Sequence, residues 1–137
     1  MPTTGGVAGS ARGFLQAAAN PANIGPTRCI GCGMGCISGR EHRMMTCLMN
    51  PAVGREREQM LTPAAKPKRV MVIGGGPGGL KAAVMAAQRG HQVTLYEKGA
   101  KLGGQFDLAA VTPTKQDLPK GIKYLSLQAA KAGVKVH

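Results

Sequence analysis

A chain of 137 residues with 18 Lys and Arg against 6 Asp and Glu, a formal charge of +12, has room for one small domain with a modest core. Twenty-one glycines, two Phe, two Tyr and no Trp exclude a core built on aromatic packing and leave small aliphatic side chains and tight turns. The charge admits an anionic partner, but the densest basic run, Lys66-Pro-Lys-Arg69, is short and few aromatics are present to stack bases, which disfavours nucleic acid; no apolar stretch reaches the ~18 residues of a membrane helix.

The chain divides by composition. Residues 1–27 are Gly/Ala/Pro-rich and irregular, with one or two helical turns expected at Phe14–Ala19. Met1 to Ala19 carries a single charge, Arg12, and no compact apolar run, so a secretory signal is not expected. Residues 28–62 hold all four cysteines of the chain, Cys29, Cys32, Cys36 and Cys47, among glycines 31, 33, 35 and 39. With no export signal, these thiols suit a cytoplasmic, reducing compartment and metal rather than disulfides. Residues 63–68, Pro-Ala-Ala-Lys-Pro-Lys, have the composition of a linker.

From residue 69 to 137 the pattern becomes regular. Val70–Ile73, within the run Arg69-Val-Met-Val-Ile73, is a continuous apolar stretch that predicts a strand buried on both faces. Leu80, Ala83, Val84 and Ala87 repeat at helical spacing and predict a helix over 78–89, stopped by Gly90. Gln92–Glu97 is rich in β-branched and aromatic residues and reads as a second strand. Lys101 to about Ala110 reads as a loop or short helix. Residues 118–132 form a third helical pattern, with Asp117 at its start, Pro119 in its first turn and Gly133 as its stop. Residues 134–137 begin a third strand. The order β-α-β-α-β predicts an α/β fold, part of a doubly wound parallel sheet with right-handed crossovers, preceded by the irregular Cys-rich segment.

The cysteine spacing C-x2-C-x3-C-x10-C places three thiolates close together and a fourth at a distance. That arrangement suits a cubane iron–sulfur cluster, with backbone N–H groups of the intervening glycines near the sulfides. Zinc is the structural rival, but closed zinc sites pair two short knuckles and only Cys29–Cys32 has that form. A redox pair would want C-x-x-C beside a β-α unit, and Cys29–Cys32 lies in a glycine-rich loop. Spacing favours the cluster and leaves zinc and redox thiols open.

Gly74-x-Gly76-x-x-Gly79 follows a predicted strand and opens a predicted helix, the setting that makes this motif informative. Gly74 would permit the tight turn, Gly76 would let the backbone approach a pyrophosphate, and Gly79 would let helix and strand pack closely. Glu97 ends the second strand, placed to accept hydrogen bonds from a ribose 2′-OH. An acid there disfavours NADP and leaves FAD or NAD.

Together, Cys29-Ile-Gly-Cys32, Cys36, Cys47-Leu-Met-Asn-Pro-Ala-Val-Gly-Arg-Glu56, Val72-Ile-Gly-Gly-Gly-Pro-Gly-Gly-Leu80, Leu95-Tyr-Glu-Lys98 and Leu102-Gly-Gly-Gln105 resemble the C-terminal part of the iron–sulfur flavoproteins. These form the 2,4-dienoyl-CoA reductase and trimethylamine dehydrogenase group of the old-yellow-enzyme superfamily. The resemblance implies a [4Fe-4S] cluster on Cys29, Cys32, Cys36 and Cys47. It implies a nucleotide site lined by Gly76, Pro77, Gly78, Glu97, Lys98, Gly104 and Gln105, alongside Gly74 and Gly79 of the motif, holding FAD or, at the same place, ADP. Such proteins have an N-terminal barrel that binds FMN and substrate, and an NAD(P)H domain inserted in the FAD-type domain. In the reductases electrons pass from FAD through the cluster to FMN; in the amine dehydrogenases they leave to an electron-transfer flavoprotein.

The departures from that family are equally specific. Residues 1–27 do not resemble the end of a barrel, and no FMN site or catalytic acid or base is carried over. The Cys36–Cys47 loop is one residue shorter than the reductase spacing. Three strands and two or three helices bury little for independent stability. The expectation is therefore an electron-transfer unit, a fragment or small subunit that is not catalytically complete alone, working with an FMN-binding barrel chain or other oxidoreductase subunits. The competing expectation is a non-enzymatic, zinc-stabilised assembly module with a basic docking surface.

Overall fold

Strand β1, Arg69–Ile73, pairs in parallel with β2, Gln92–Tyr96, over its whole length, from Arg69 opposite Gln92 to Ile73 opposite Tyr96. On the far side of β2 lies β3, Lys135–Val136, also parallel, with Thr94 opposite Lys135 and Leu95 opposite Val136. This computed structural model describes residues 27–40 and 45–137; the helical turns expected at Phe14–Ala19 lie outside the described residues. Backbone hydrogen bonds carry the β2–β3 pairing one step further, from Glu97 N to His137 O (2.8 Å) and from His137 N to Leu95 O (2.9 Å).

Helix α1, Pro77–Gln88, crosses from β1 to β2. Pro77 suits its first turn because that position needs no N–H donor, and Gly90 (φ +92°) ends it in a conformation that side chains rarely adopt. The connection from β2 to β3 holds a short helix α2, Gln105–Ala109, a 3-10 turn at Pro113–Lys115, and helix α3, Leu118–Lys131. Asp117 precedes α3 as expected, but its carboxylate pairs with Lys120 and caps no backbone N–H. Both crossovers step the same way across the sheet, so right-handed connections send α1 and α3 to one face, where they pack against each other.

The core lies between that face and the helices. Leu80, Ala83 and Val84 of α1 meet Val93 and Leu95 of β2, with Leu118, Ile122, Leu125 and Ala129 of α3 and Val134 beside them. Leu80 and Leu95 are fully buried. The same core contains Ile30 and Met49, which belong to the Cys-rich segment. That segment folds irregularly, through turns such as Ile37 N to Gly33 O (3.2 Å) and Gly39 N to Gly35 O (3.1 Å), and a 3-10 turn at Ser38–Arg40.

One expectation is corrected. β1 is not buried on both faces: Val70 and Val72 turn half-buried toward the core, while Met71 and Ile73 are 66% and 79% exposed. The alternation arises because both helices cover only one side of the sheet.

Candidate functional site

The turn after β1 begins at Gly74 (φ +97°), where an L side chain would be strained. Gly74 N donates to Tyr96 O at 2.7 Å, which ties the turn to the end of β2. At Gly79 a Cβ would stand 1.9 Å from Gly74 O, so this glycine is what allows α1 to start so close to β1. Gly76 and Gly78 are different: a Cβ on either would meet no protein atom within 4 Å. Protein packing does not require glycine at these two positions. They leave a bare backbone edge at the first turn of α1, where helix N–H groups and the positive end of the dipole favour a phosphate.

Gly75, which the G-x-G-x-x-G frame leaves unassigned, is the buried pivot of the loop. A Cβ there would meet Leu102 Cδ2 at 2.4 Å, and its carbonyl accepts from Gly103 N at 2.9 Å. Gly104 follows with a positive φ (+54°) that side chains rarely adopt, its Cβ position 3.7 Å from Gly76 Cα. The 102–104 turn is thus the wall beside the glycine loop. Gln105 opens α2 at the surface, Lys98 is exposed, and Pro77 is half-buried.

Glu97 joins the two walls. Its Oε1 accepts from Gly99 N at 2.8 Å and its Oε2 from Gly75 N at 2.6 Å. These two backbone donors, Gly99 first and Gly75 next, hold its carboxyl below the usual carboxylate range, with Lys98 adding a smaller pull and desolvation opposing them. Each carboxylate oxygen keeps a lone pair for a further donor. Lys81, in the second turn of α1, is half-buried, and burial lowers its pKa. Sequence reasoning missed Gly75, for which the run of three glycines was the available signal.

The four cysteines are free thiols. Cys29 and Cys36 are exposed, whereas Cys32 and Cys47 are half-buried and pack against the core. Gly31 N points at Cys29 Sγ (3.4 Å), an N–H···S contact of the kind that stabilises a thiolate. The backbone brings the third and fourth cysteines' segments side by side. Thr46 N donates to Gly35 O at 3.5 Å, and a Cβ on Gly35 would lie 2.4 Å from Thr46 O. Among the described residues no three Cys, His, Asp or Glu side chains are gathered as a metal site. The donor set and the backbone approach fit a thiolate-bound group; the side chains themselves are not drawn into one shell.

Comparison with known proteins matches residues 69–134 to the family of FAD dependent oxidoreductases. Across 112 residues the chain is 43% identical to an NADH oxidase of Thermoanaerobacter brockii, a match covering 80% of this chain and 17% of that protein. It is 45% identical over 91 residues to a cinnamate reductase of Clostridium sporogenes, covering 65% of this chain and 14% of the other. A solved 2-naphthoyl-CoA reductase superposes with a TM-score of 0.75 at 36% identity, over 88% of this chain and 18% of that one. The chain therefore spans about a sixth of the length of the relatives it matches. No helix among the described residues is long and apolar enough to cross a membrane.

Proposed function

This chain belongs to the flavoprotein family of the 2,4-dienoyl-CoA reductase and trimethylamine dehydrogenase type, and from that premise we propose that it is an electron-transfer unit of a flavin oxidoreductase. In this reading Gly74, Gly76, Pro77, Gly78 and Gly79 hold the pyrophosphate of FAD, or of ADP at the same place. Glu97 receives the ribose hydroxyls, and Lys98, Gly104 and Gln105 complete the rim. Cys29, Cys32, Cys36 and Cys47 hold a [4Fe-4S] cluster. When bound, the flavin exchanges electron pairs with a nicotinamide and the cluster passes electrons singly.

One observation carries the reading: the cysteine segment and the glycine loop share a core. Ile30 and Met49, interleaved with the cysteines, pack in the same cluster as Leu80 and Leu95, which support the glycine loop. A relay needs its two centres at a fixed, short separation, and a shared core supplies that. The chain's own residues do the holding: Gly76 and Gly78 expose the N-terminal turn of α1, and Glu97 keeps the loop shut by gripping Gly75 and Gly99. Gly31 N stabilises negative charge on Cys29. The remaining parts, an FMN-binding barrel with its substrate pocket and a nicotinamide domain, belong to other domains or subunits. The name of the NADH oxidase relative suits NADH as donor, while the relatives' names differ in the compound reduced or oxidised and assign none to this chain.

The test is anaerobic purification with iron, sulfide and flavin assays. A broad visible absorbance that dithionite bleaches, lost in Cys47→Ser, and flavin released in one-to-one amount on denaturation are expected. A colourless protein with stoichiometric zinc refutes the relay and leaves a structural module. A cluster that survives Cys47→Ser intact refutes the ligand set.

A further inference from the structure

Helix α3 carries a glycine inside its buried stripe. Leu118, Ile122, Leu125 and Ala129 make that stripe, and Gly121 falls one turn after Leu118, on the same side. A glycine within a helix is the least favourable ordinary choice short of proline. What faces it explains the choice. A Cβ on Gly121 would stand 3.0 Å from Ile30 Cγ2, 3.3 Å from Met49 Sδ and 3.5 Å from Met49 Cε. Ile30 lies between Cys29 and Cys32, and Met49 two residues after Cys47; they are 3% and 6% exposed. One turn back along the helix, Asp117 Oδ2 lies 3.8 Å from the Cβ position of Gly31. The two ends of the cysteine segment, far apart in sequence, therefore converge on one notch.

We propose that Gly121 is a positioning residue for the cysteine ligands. It is a seat in α3 that clamps Ile30 and Met49 together and so sets where Cys29, Cys32 and Cys47 stand relative to one another and to α1, the helix that follows the glycine loop. The proposal rests on the cluster reading above for its purpose, and on the packing alone for its geometry. Cys32 and Cys47, the half-buried pair packed on the same core, are the thiols the seat holds in place. Gly121 touches no reacting atom. It acts through Ile30 and Met49.

The experiment uses the full chain with Gly121→Ala and Gly121→Val. In the reduced, metal-free protein, alkylation of each cysteine is followed by mass spectrometry. Affinity for ADP is titrated in parallel, and the reconstituted, dithionite-reduced protein is examined by electron paramagnetic resonance. In Gly121→Val, alkylation of Cys32 and Cys47 is expected to rise about tenfold, the change that ~1.4 kcal/mol of lost docking gives. Cys29 and Cys36, already exposed, change little. The resonance g-values shift or the signal is lost, while the ADP dissociation constant stays within about twofold. Gly121→Ala, whose Cβ asks Ile30 for only a small retreat, gives a smaller step in the same direction and covers the case in which the valine variant fails to fold. Unchanged alkylation of Cys32 and Cys47 overturns the proposal. So does a loss of ADP affinity in proportion to the thiol exposure, because that is general loosening rather than a seat. A wild-type chain that takes up neither iron nor sulfide refutes the cluster reading instead, and the alkylation result then decides the seat by itself.

Discussion

Alanine at Gly79 and alanine at Gly76 test two different uses of glycine within one loop. In Gly79→Ala the new Cβ would stand 1.9 Å from Gly74 O, and real Cβ atoms do not come within 3.0 Å, so backbone must retreat by about 1 Å. Overpacking against backbone costs about 3 kcal/mol, and the better helix propensity of alanine returns about 1. A net loss of ~2 kcal/mol lowers the melting temperature of a chain this size by roughly 8 °C. In Gly76→Ala the backbone (φ −71°, ψ 177°) is ordinary for alanine and no atom lies within 4 Å. Glycine is favoured over alanine at a helix N-cap by about 0.5 kcal/mol, which offsets the roughly 0.5 kcal/mol gained from the stiffer unfolded chain, so stability should change by less than about 0.5 kcal/mol. In the proposed site, however, a methyl on that edge stands where the pyrophosphate would come. Affinity for ADP and FAD should fall at least about tenfold, or ~1.4 kcal/mol. Circular dichroism melts and fluorescence titrations measure the two effects separately. A Gly76→Ala chain that binds as well as wild type, or a Gly79→Ala chain that melts with wild type, refutes the assignment of roles.

Glu97→Gln replaces an acceptor of two backbone N–H groups with a side chain that turns an NH2 toward one of them; nucleotide affinity should drop about tenfold, read by titration. Because the folded carboxyl has a lowered pKa, its stabilising effect is complete above the unfolded value of about 4.3 and is lost as pH falls through the folded one. Acid melts of wild type should therefore show a loss below about pH 4 that the Gln variant lacks, and parallel curves would refute the linkage. Leu95→Ala empties a fully buried central-strand position and should cost about 3–5 kcal/mol by urea unfolding. Ile73→Thr, at a position 79% exposed, should change stability by less than about 0.5 kcal/mol while reducing binding of a hydrophobic dye.

Periodicity revealed the elements because it is local: the Leu80–Ala83–Val84–Ala87 stripe and the β-branched run at Gln92–Tyr96 fix their own conformation. The order of those elements, with glycine between, then gave the parallel sheet. Non-local facts were not readable. A four-residue apolar run such as Val70–Ile73 says nothing about how many faces will be covered. The role of Gly75 depends on Leu102, and that of Gly121 on Ile30 and Met49, all distant in sequence. A glycine on the apolar stripe of a helix is a signal in principle, since the stripe is where a partner approaches most closely. The wall that Leu102–Gly104 make beside the glycine loop was legible only through family resemblance.

The exposed face of the sheet follows from the direction of the chain. A right-handed crossover that steps from β1 to β2 and another that steps from β2 to β3 must leave their helices on the same side. Helices reach the other side only when strands are added beyond β1, by connections running the opposite way. Met71, Ile73 and Tyr96, exposed by 66%, 79% and 45%, lie on the face that neither long helix covers. The relatives are long enough to hold such segments, since the match to the NADH oxidase takes up only 17% of that protein. The glycine loop proposed to hold the nucleotide follows the carboxyl end of β1, and doubly wound sheets bind their ligands at the carboxyl ends of their strands.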